Sequence, residues 1–468
     1  MSLVLTGGEL TMDAVVRVAR HGETVTLDPA AVERMRVARA VAERVLAEGH
    51  EAYGVTTGVG VRKSFRVTDG GHDALLLRQH LIAQGPPLPR EVVRAAALRL
   101  ANAFAQGLSA ARPELAERLV QALNGDTLPA VRSLGSVGQA DLAQTADLAV
   151  GLLAGDGPAP GEAIALLNQN AFSSGHAALA VHDALALLDV LDVGGALDLE
   201  ALAANREALL HPAIATARPS PGVEATLERL RGLVRGSGVA ARSLQDPLSF
   251  RTLPQLHGAA RDALGFVREQ VERELSAHQS NPLVVVDEGR LVSVGNFEVA
   301  ALATALDLAR LVLAQVLTSS AERALKLLQA PLTGLPEGLG ERPGLAESAL
   351  SELGIAVQSL AAEARLLAQP VSLELVSTTQ AEGIEDRTTM APLAARRLSE
   401  QVLLGRRVAA VALLVAAQAC DLRRVRIGAG TALAHASIRE RVPFVAAGDP
   451  LPDLEPLVEL VAGGTLGP

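Results

Sequence analysis

The chain of 468 residues carries a formal net charge of −10; hydrophobic residues make up 49% of it and aromatic residues only 2%. The acidic balance argues against a nucleic-acid partner, which would require clustered Lys and Arg. A single cysteine, Cys420, excludes a disulfide framework and a cysteine-based zinc site.

The predicted elements are mainly long helices, because Leu, Ala and Val recur at helical spacing over long segments that contain no Pro and almost no Gly. The clearest predicted helices are residues 177–193, 299–329, 345–368 and 394–424. A short β-hairpin is predicted within 282–295, and one short helix near the C-terminus. We therefore expect an all-α fold of the long-helix bundle type, with a loop-rich part (1–190) and a helical part (191–468) that do not fold independently.

The N-terminus lacks the basic flank, apolar run and cleavage site of a signal peptide. The longest apolar runs are residues 408–420, which are too short to span a bilayer, and 299–317, which contain Asp307 and Arg310. No membrane partner is expected, and the lone cysteine fits a reducing, cytoplasmic location.

Polar or glycine-rich segments interrupt the apolar background, and such segments between long helices are where a binding site is expected. They are YGVTTGVG (53–60), LGSVGQADLAQTADLAVGLLAGDG (134–157), LLNQNAF (166–172), SLQDPLSFRTLPQ (243–255) and QAEGIEDRTTM (380–390). None has the spacing of a metal site, and the scattered His176, His257 and His278 are expected to be packed or on the surface.

Tyr53, the only tyrosine, lies in a glycine-flanked loop. Its phenol could act as a general acid or base if its pKa were lowered, or could simply anchor the loop. Arg251 follows an Asp-Pro turn, where a guanidinium suits a substrate carboxylate or, alternatively, a bridge to Asp246 or a neighbouring subunit. The residues alone leave both interpretations open.

Other polar side chains of these segments are equally ambiguous. Asn168 and Gln245 could hold a carbonyl or carboxylate group, although amides in loops more commonly bind backbone. The sequence Glu385-Asp386-Arg387 is most often a solvated cap or an ion-pair cluster.

Taken together and in this order, the segments resemble the histidine and phenylalanine ammonia-lyase family, whose enzymes use a methylidene-imidazolone electrophile. The similarity runs through LTGGELTMDAVVRVAR, YGVTTGVG, LGSVG…DLA, ALLNQNAF, QDPLSFRTLPQ, SNPLVV…VGNFEVAA, SSAERALKLL and IEDRTTMAPLAARRL. It implies a mostly helical homotetramer whose active sites are assembled from loops of three subunits.

The resemblance also implies roles for particular residues. Tyr53 falls on the family's catalytic tyrosine, and Glu385 on an acid beside the substrate amine. The implied substrate-binding and pocket-wall positions are Asn168, Gln245, Arg251 and Phe297.

The loop that forms the electrophile departs from the family. Members have Ala-Ser-Gly after Gly-Ser-Val-Gly, and these three residues cyclise and dehydrate. Here GSVG (135–138) is followed by QAD, so the degenerate loop comprises Gly138, Gln139, Ala140 and Asp141. It is one residue short and has neither the serine to dehydrate nor the glycine nitrogen to attack. We expect no methylidene-imidazolone and no other cofactor.

Further positions differ as well. Leu248 stands at a substrate-binding position where the family has its second active-site tyrosine. The segment LRQHLIAQGPPLPREVV (77–93) lacks the histidine that contacts imidazole in histidine-specific members. Glu298 stands where the family usually has His or Gln, and its carboxylate could hold a cationic substrate group or point to a neighbouring Arg.

Without the electrophile, elimination requires a substrate that supplies the driving force, such as a quaternary amine or a more acidic β-proton. The first hypothesis is a 1,2-elimination of an amine from an amino-acid-like carboxylate, with the ergothionase type, which expels trimethylamine, as precedent. Tyr53 would transfer the proton and Arg251 would hold the carboxylate. Glu385 or Glu298 would neutralise the leaving group. The alternatives are a non-catalytic paralogue that binds a ligand or partner, and an isomerase or cyclase that uses the same base.

Overall fold

Long apolar helices dominate the fold, which agrees with the all-α prediction. The computed structural model describes residues 2–153, 156–346, 348–373, 380–464 and 466. The helices are α1 (Met12–His21), α2 (Pro29–Glu48), α3 (His72–Gln79), α4 (Arg90–Ala105), α5 (Pro113–Asn124), α6 (Leu142–Leu152), α7 (Glu162–Leu167), α8 (Ala171–Leu202), α9 (Arg206–Leu209), α10 (Ala213–Ala217), α11 (Pro221–Leu233), α12 (Leu248–Arg251), α13 (Leu253–Ser276), α14 (Ala300–Leu327), α15 (Ala330–Thr333), α16 (Leu353–Leu366), α17 (Ala391–Arg423), α18 (Ala429–Arg441) and α19 (Glu455–Ala462).

The strands of the described residues are short and form three separate pairs. β1 (Leu3–Leu5) pairs in parallel with β2 (Val25–Leu27), and β3 (Gln84–Pro87) pairs antiparallel with β4 (Arg132–Leu134). The predicted hairpin is confirmed as β5 (Leu283–Val285) and β6 (Arg290–Val292), with Gly289 in the left-handed region at φ 62° in its turn.

The predicted long helices are present, with one shorter than expected. The segments 299–329 and 394–424 correspond to α14 and α17, and 177–193 lies inside the 32-residue α8. The segment 345–368 was expected to be helical throughout, but α16 begins only at Leu353. Upstream of it the N–H of Leu350 donates to the carbonyl of Gly338, so that backbone group is committed to a turn.

Packing divides the chain into two units of three segments each. Unit 1 comprises Met1–His182, Val267–Asp307 and Pro370–Arg396. Unit 2 comprises Asp183–Phe266, Leu308–Gln369 and Arg397–Pro468. Each unit thus combines segments that are distant in sequence, and the expected division at residue 190 stays a prediction.

The core of unit 1 is built around α4, which packs against α1 and α5 and is buried along almost its whole length. Small side chains permit close approach of its neighbours. A Cβ on Gly175, in α8, would lie 2.8 Å from the backbone carbonyl carbon of Ala95. Glycine is therefore required where α8 approaches α4.

Two helices, α14 and α17, are long and apolar enough to cross a membrane by length and composition. Of the most apolar 18-residue stretch of each helix, 61% is buried in α14 and 78% in α17, as is usual for core helices. Two buried charged residues of α14 bond to the protein: Asp307 accepts a hydrogen bond from the Ser372 N–H at 3.0 Å, and Arg310 donates to the Gln369 carbonyl at 2.9 Å. These features are those expected of helices that bury their apolar faces against protein.

Candidate active site

A cavity of about 320 Å³ lies in unit 1 and is enclosed by segments from distant parts of the sequence. Its walls are Tyr53, Gln139, Leu142, Asn168, Asn281, Ser293, Phe297, Ile384, Glu385, Asp386 and Arg387. A second cavity of about 270 Å³ shares with it Tyr53, Leu142, Asn168 and Glu385. The fold therefore brings together four of the predicted site residues and Gln139 of the degenerate loop. The four are Tyr53, Asn168, Phe297 and Glu385.

Tyr53 is held in a tight turn that follows α2. The helix ends at Gly49, which has the left-handed φ of 68°. Gly54 has the same φ, and a Cβ there would come within 2.7 Å of the Ile164 side chain, so only glycine fits. The hydroxyl oxygen of Tyr53 accepts a hydrogen bond from the Gly60 N–H at 3.1 Å. The turn thus places the phenol in the cavity wall with a defined partner.

Burial raises the pKa of the Tyr53 hydroxyl above its ordinary value, and the negative charge of Glu385 raises it further, although the hydrogen bond from Gly60 opposes both effects. The neutral phenol is therefore the resting form at neutral pH. The described surroundings of Tyr53 therefore do not supply the lowered pKa that a general base requires.

Glu385 lies on an exposed segment between the 3₁₀ turn Gln380–Gly383 and α17. Ala381 and Glu382 have positive φ values of 51° and 58°, which residues with side chains seldom adopt. Such conformations persist where surrounding structure imposes them, and they are common beside ligand sites. The segment therefore delivers Glu385 to both cavities from a constrained turn.

The degenerate loop is fastened to the start of α17. The N–H groups of Thr389 and Met390 donate to the carbonyl of Val137 at 3.2 and 2.9 Å. The Thr389 hydroxyl donates to the carbonyl of Gly138 at 2.8 Å. Gly138 has φ 85°, and a Cβ on it would lie 2.1 Å from that hydroxyl oxygen. The loop therefore requires glycine at this position.

The loop ends at Asp141, whose carboxylate is fully buried. It accepts hydrogen bonds from the Ser173 hydroxyl and N–H, both at 2.7 Å, and its own N–H donates to the Gln169 carbonyl at 2.8 Å. Burial raises the pKa of Asp141 to about 6. Ala140, just before it, is buried with a positive φ of 62°. This end of the loop is thus locked into the protein interior.

Asp141 belongs to a buried polar layer, which we define as Arg99, Asp141, Gln169, Ser173 and Gln279. Arg99 donates to the Gln169 side chain at 3.3 Å, and the Gln279 side chain accepts a hydrogen bond from the backbone at residue 170 at 3.1 Å. Burial lowers the pKa of Arg99 to about 10. The five side chains of the layer are therefore all buried, with relative exposures of 1% or less.

Glu298 is engaged by protein groups. Its Oε2 accepts hydrogen bonds from Arg387 Nε and Gln139 Nε2, both at 2.9 Å, and Oε1 accepts one from the Ala300 N–H at 3.0 Å. Burial by itself would raise the pKa of Glu298, but these hydrogen bonds and the charge of Arg387 lower it overall. Of the two interpretations from sequence, contact with an Arg is the one seen in the structure.

Asn168 and Phe297 are held by amide hydrogen bonds. Asn168 Nδ2 donates to the Asn281 carbonyl at 2.7 Å, and Asn170 Nδ2 donates to the Phe297 carbonyl at 2.7 Å. The role of Asn168 in the free protein is thus the backbone contact typical of loop amides. Asn281, like Leu142, Ser293 and Ile384, is a cavity residue that sequence analysis does not identify. Its one available signal was the Asn-Pro pair in SNPLVV.

Gln245, Leu248 and Arg251 belong to unit 2. Gln245 and Leu248 are exposed, and Leu248 starts the single-turn helix α12, which ends at Arg251. Asp246 is buried and accepts a hydrogen bond from the Asn205 N–H at 2.8 Å, so the suggested Asp246–Arg251 bridge does not form in the described part of the chain. The substrate-binding roles of these three residues stay predictions.

Two of the three scattered histidines, His257 and His278, are packed, as expected. His257 is buried with its Nδ1 2.8 Å from Asp192, and burial lowers the pKa of His278 to about 4. Across residues 2–153, 156–346, 348–373, 380–464 and 466, no group of three or more His, Cys, Asp or Glu side chains is placed to hold a metal ion.

Comparison with known proteins gives consistent similarities over the whole chain. A model of the aromatic amino acid lyase family matches residues 10–161 and 157–440. The chain is 34% identical to histidine ammonia-lyase of Symbiobacterium thermophilum, over 100% of this chain and 98% of that protein. Its fold is similar to ergothionase from Treponema denticola, an ergothioneine-degrading enzyme (TM-score 0.92, 25% identity, 100% and 99% coverage). It is also similar to tyrosine aminomutase from Streptomyces globisporus (TM-score 0.92, 26% identity, 100% and 98% coverage).

Proposed function

The chain belongs to the aromatic amino acid lyase family, and we propose that it catalyses a 1,2-elimination at a C–N bond without a methylidene-imidazolone electrophile. The relatives named histidine ammonia-lyase and the ergothionase neighbour make it an enzyme of the C–N lyase type. The proposed substrate is an amino-acid-like carboxylate that carries a cationic amine, and that amine is the leaving group.

The residues of the degenerate loop do not fit the family's electrophile. Only Gln139 and Ala140 stand between Gly138 and Asp141, and no Ala-Ser-Gly tripeptide occurs in the chain. The Ala140 side chain is a buried methyl group with no hydroxyl to eliminate. Ser136, in the preceding turn, is already hydrogen-bonded to two groups of α6. No step of the proposed reaction uses the electrophile, and the driving force is assigned to the substrate.

The observation that carries the proposal is the charge of the cavity. Glu385 and Asp386 bring two carboxylates into a wall whose cation, Arg387, is already paired with Glu298 at 2.9 Å. A small cavity with this balance favours a cationic group over an anionic one. A substrate with a positively charged amine is therefore the class that suits it.

Aromatic side chains support the same substrate class. The chain has one Tyr and seven Phe, and Tyr53 and Phe297 both line this cavity. Aromatic faces beside carboxylates are the surroundings in which quaternary ammonium groups are bound. A quaternary amine is also a better leaving group than a free ammonium, so binding and reactivity favour the same substrate.

The proposed elimination needs one proton transfer and one bond cleavage. A base removes the proton β to the amine, the freed electron pair forms the carbon–carbon double bond, and the C–N bond breaks with its pair going to nitrogen. Tyr53 is assigned as the proton-transfer residue, because a cation bound beside it lowers the phenol pKa that Glu385 raises. Glu385 is assigned the role of neutralising the positive charge of the departing amine, because it lines the same cavity.

The remaining assignments are proposals of the same kind. We assign the substrate carboxylate to Arg251, with Gln245, Asn168 and Leu248 as further binding residues, and the active assembly to a cytoplasmic homotetramer. The net charge of −10 is unfavourable for binding nucleic acid.

An isomerase is a second candidate, because tyrosine aminomutase has the same fold at a TM-score of 0.92. An aminomutase would return an amine to the neighbouring carbon and yield a β-amino acid. A lyase would release the amine and leave a conjugated acrylate. The product, rather than the rate, distinguishes them.

The test uses substrate pairs that differ only in the amine. The trimethylated betaine of an aromatic or imidazole amino acid is compared with the same amino acid bearing a free amine, by following acrylate absorbance and amine release. We expect turnover of the betaine alone, and a loss of about 100-fold or more in Tyr53→Phe. Glu385→Gln should also reduce turnover, whereas Glu382→Gln, in the same exposed segment, should not.

Three results would contradict this function. Turnover of the free amino acid, with a near-ultraviolet band that borohydride removes, would establish the electrophile. A β-amino acid product would establish the isomerase. No product from any pair, with ligand binding unchanged in Tyr53→Phe, would establish a non-catalytic paralogue.

A further inference from the structure

Glu298 is the point where three segments of unit 1 meet. Its carboxylate receives hydrogen bonds from Gln139, Arg387 and the Ala300 N–H, at 2.9, 2.9 and 3.0 Å. Gln139 and Glu298 are also paired through their backbones. Both carboxylate oxygens are therefore taken up by the protein itself.

These contacts change the net charge of the cavity wall, because they pair Arg387, the one cationic residue of that wall in the described part of the chain. Gln139 and Arg387 line the cavity, whereas Glu298 lies outside its lining among the described residues. Without Glu298, the positive charge of Arg387 would offset part of the negative charge that Glu385 and Asp386 bring to the same cavity wall. The ion pair cancels that charge and leaves the two carboxylates to set the local potential.

We propose that Glu298 is a positioning residue that makes the cavity selective for cations, by holding Arg387 in an ion pair and Gln139 in one orientation. It acts through these two side chains and does not contact the substrate. The selectivity rests on the proposed cationic substrate, but the pairing itself is testable without any substrate.

The exposure of the two paired side chains indicates how much the ion pair contributes to stability and to cation binding. The side chains of Glu298 and Arg387 are 35% and 62% exposed, and ion pairs at such exposure contribute little to stability. Loss of the pair should therefore leave the fold intact and change the binding of a cation by roughly 3- to 10-fold.

Tyr53 provides a built-in reporter. It is the only tyrosine and the chain has no Trp, so tyrosinate absorbance during an alkaline titration reports Tyr53 alone. Glu298→Gln frees the positive charge of Arg387 in the same cavity and should lower the Tyr53 midpoint. Arg387→Gln frees the negative charge of Glu298 instead and should raise it. The double variant should return close to the wild type.

A matched control comes from the β5–β6 hairpin, where Glu288 pairs with Arg290 at comparable exposure and 2.5 Å. Glu288→Gln should not move the Tyr53 midpoint. Thermal unfolding of each variant shows that the fold is kept.

The second measurement is the affinity for tetramethylammonium, followed by Tyr53 fluorescence. We expect weaker binding in Glu298→Gln, recovery in the double variant with Arg387→Gln, and unchanged binding of the neutral isostere tert-butanol. Recovery is the decisive point, because a carboxylate that contacted the cation directly could not be replaced by removing Arg387.

An unchanged Tyr53 midpoint in Glu298→Gln, or weak binding that persists in the double variant, would overturn the positioning role. If the midpoints shift as expected but the wild type does not bind tetramethylammonium, the cationic substrate is wrong, whereas the pairing of Arg387 by Glu298 stands.

Discussion

Two polar regions adjoin the degenerate loop, and they differ in the burial and the pairing of their charged side chains. In the buried polar layer, Asp141 and Arg99 are fully buried, with pKa values moved to about 6 and about 10 by burial. In the cavity wall, Glu298 and Arg387 remain partly exposed and paired with each other. The same short loop thus has Asp141 fixed in the interior, whereas its Gln139 side chain is hydrogen-bonded to a carboxylate of the partly exposed ion pair.

The two regions are expected to contribute differently, the buried layer to the stability of the loop and the exposed ion pair to the charge of the cavity. Buried charges are costly unless every hydrogen bond is made, so their removal disturbs the fold. Exposed ion pairs contribute little to stability, so they can vary without loss of the fold and change selectivity instead.

The largest expected effect is on stability in the buried layer. Asp141→Ala leaves the Ser173 hydroxyl and N–H without their acceptor, and should lower the free energy of unfolding by about 3–5 kcal/mol in chemical denaturation. Asp386→Ala, on the exposed cavity side, should change it little. Similar losses in the two variants would mean that the two regions do not differ as described.

A pH series should single out the same carboxyl group. The Asp141 pKa is about 6 in the folded protein against an ordinary 3.8, so the folded state keeps a proton that the unfolded state has lost between these values. The stability from this group is therefore complete below pH 3.8 and lost as pH rises through about 6, a change of up to about 3 kcal/mol.

The measurement is the difference in unfolding free energy between the wild type and Asp141→Asn, from about pH 4 to about pH 8. The variant has no titratable group at this position. The pH dependence that comes from the other carboxyl groups is common to both proteins and cancels in the difference. We expect the unfolding free energy of the wild type minus that of Asp141→Asn to fall as pH rises through about 6. A rise of this difference with pH would mean that the pKa of Asp141 is lowered in the folded protein, and would refute the assignment.

Backbone fit at the loop should give a smaller loss. Gly138→Ala forces a side chain at φ 85° and 2.1 Å from the Thr389 hydroxyl oxygen, and should cost about 1–3 kcal/mol in denaturant unfolding. Gly295→Ala is the control, because its Cβ would meet nothing within 4 Å. Equal stability of the two variants would show that the loop adapts freely.

The smallest expected effect is on the Tyr53 phenol. Glu385→Gln removes a negative charge that raises the Tyr53 pKa and should lower the midpoint of the tyrosinate titration. Glu382→Gln, whose carboxylate lies 3.9 Å from Lys63, should leave it in place. A midpoint in the wild type below that of free tyrosine would show that the phenol is activated by the chain alone.

The elements that sequence analysis predicted best are those whose pattern is strong and local. The ends of α14 and α17 lie within three residues of the predicted ones, because both apolar repeats are long and contain, over the predicted spans, no Pro and a single Gly, Gly405. The start of α16 was wrong, because the Leu350 N–H bonds to Gly338 rather than within a helix. That competition depends on a turn that no helical repeat reveals.

The candidate site shows the same limit. Tyr53, Asn168 and Glu385 could be selected because each lies in a polar segment within an apolar chain. The partner of Glu298 could not, because Arg387 is 89 residues away and either interpretation satisfied the sequence. Asn281 was missed because its only signal was a loop Asn-Pro pair.

Three features could be read from the order of the residues: the helical class, the succession of the family's segments and the absence of an Ala-Ser-Gly tripeptide. All three are properties of neighbouring residues. The folded arrangement was needed to show that the pKa of the Tyr53 phenol lies above its ordinary value, that Glu298 pairs with Arg387, and that Asp141 is buried. Protonation and pairing depend on desolvation and on distances between charges, which are set by segments far apart in the chain.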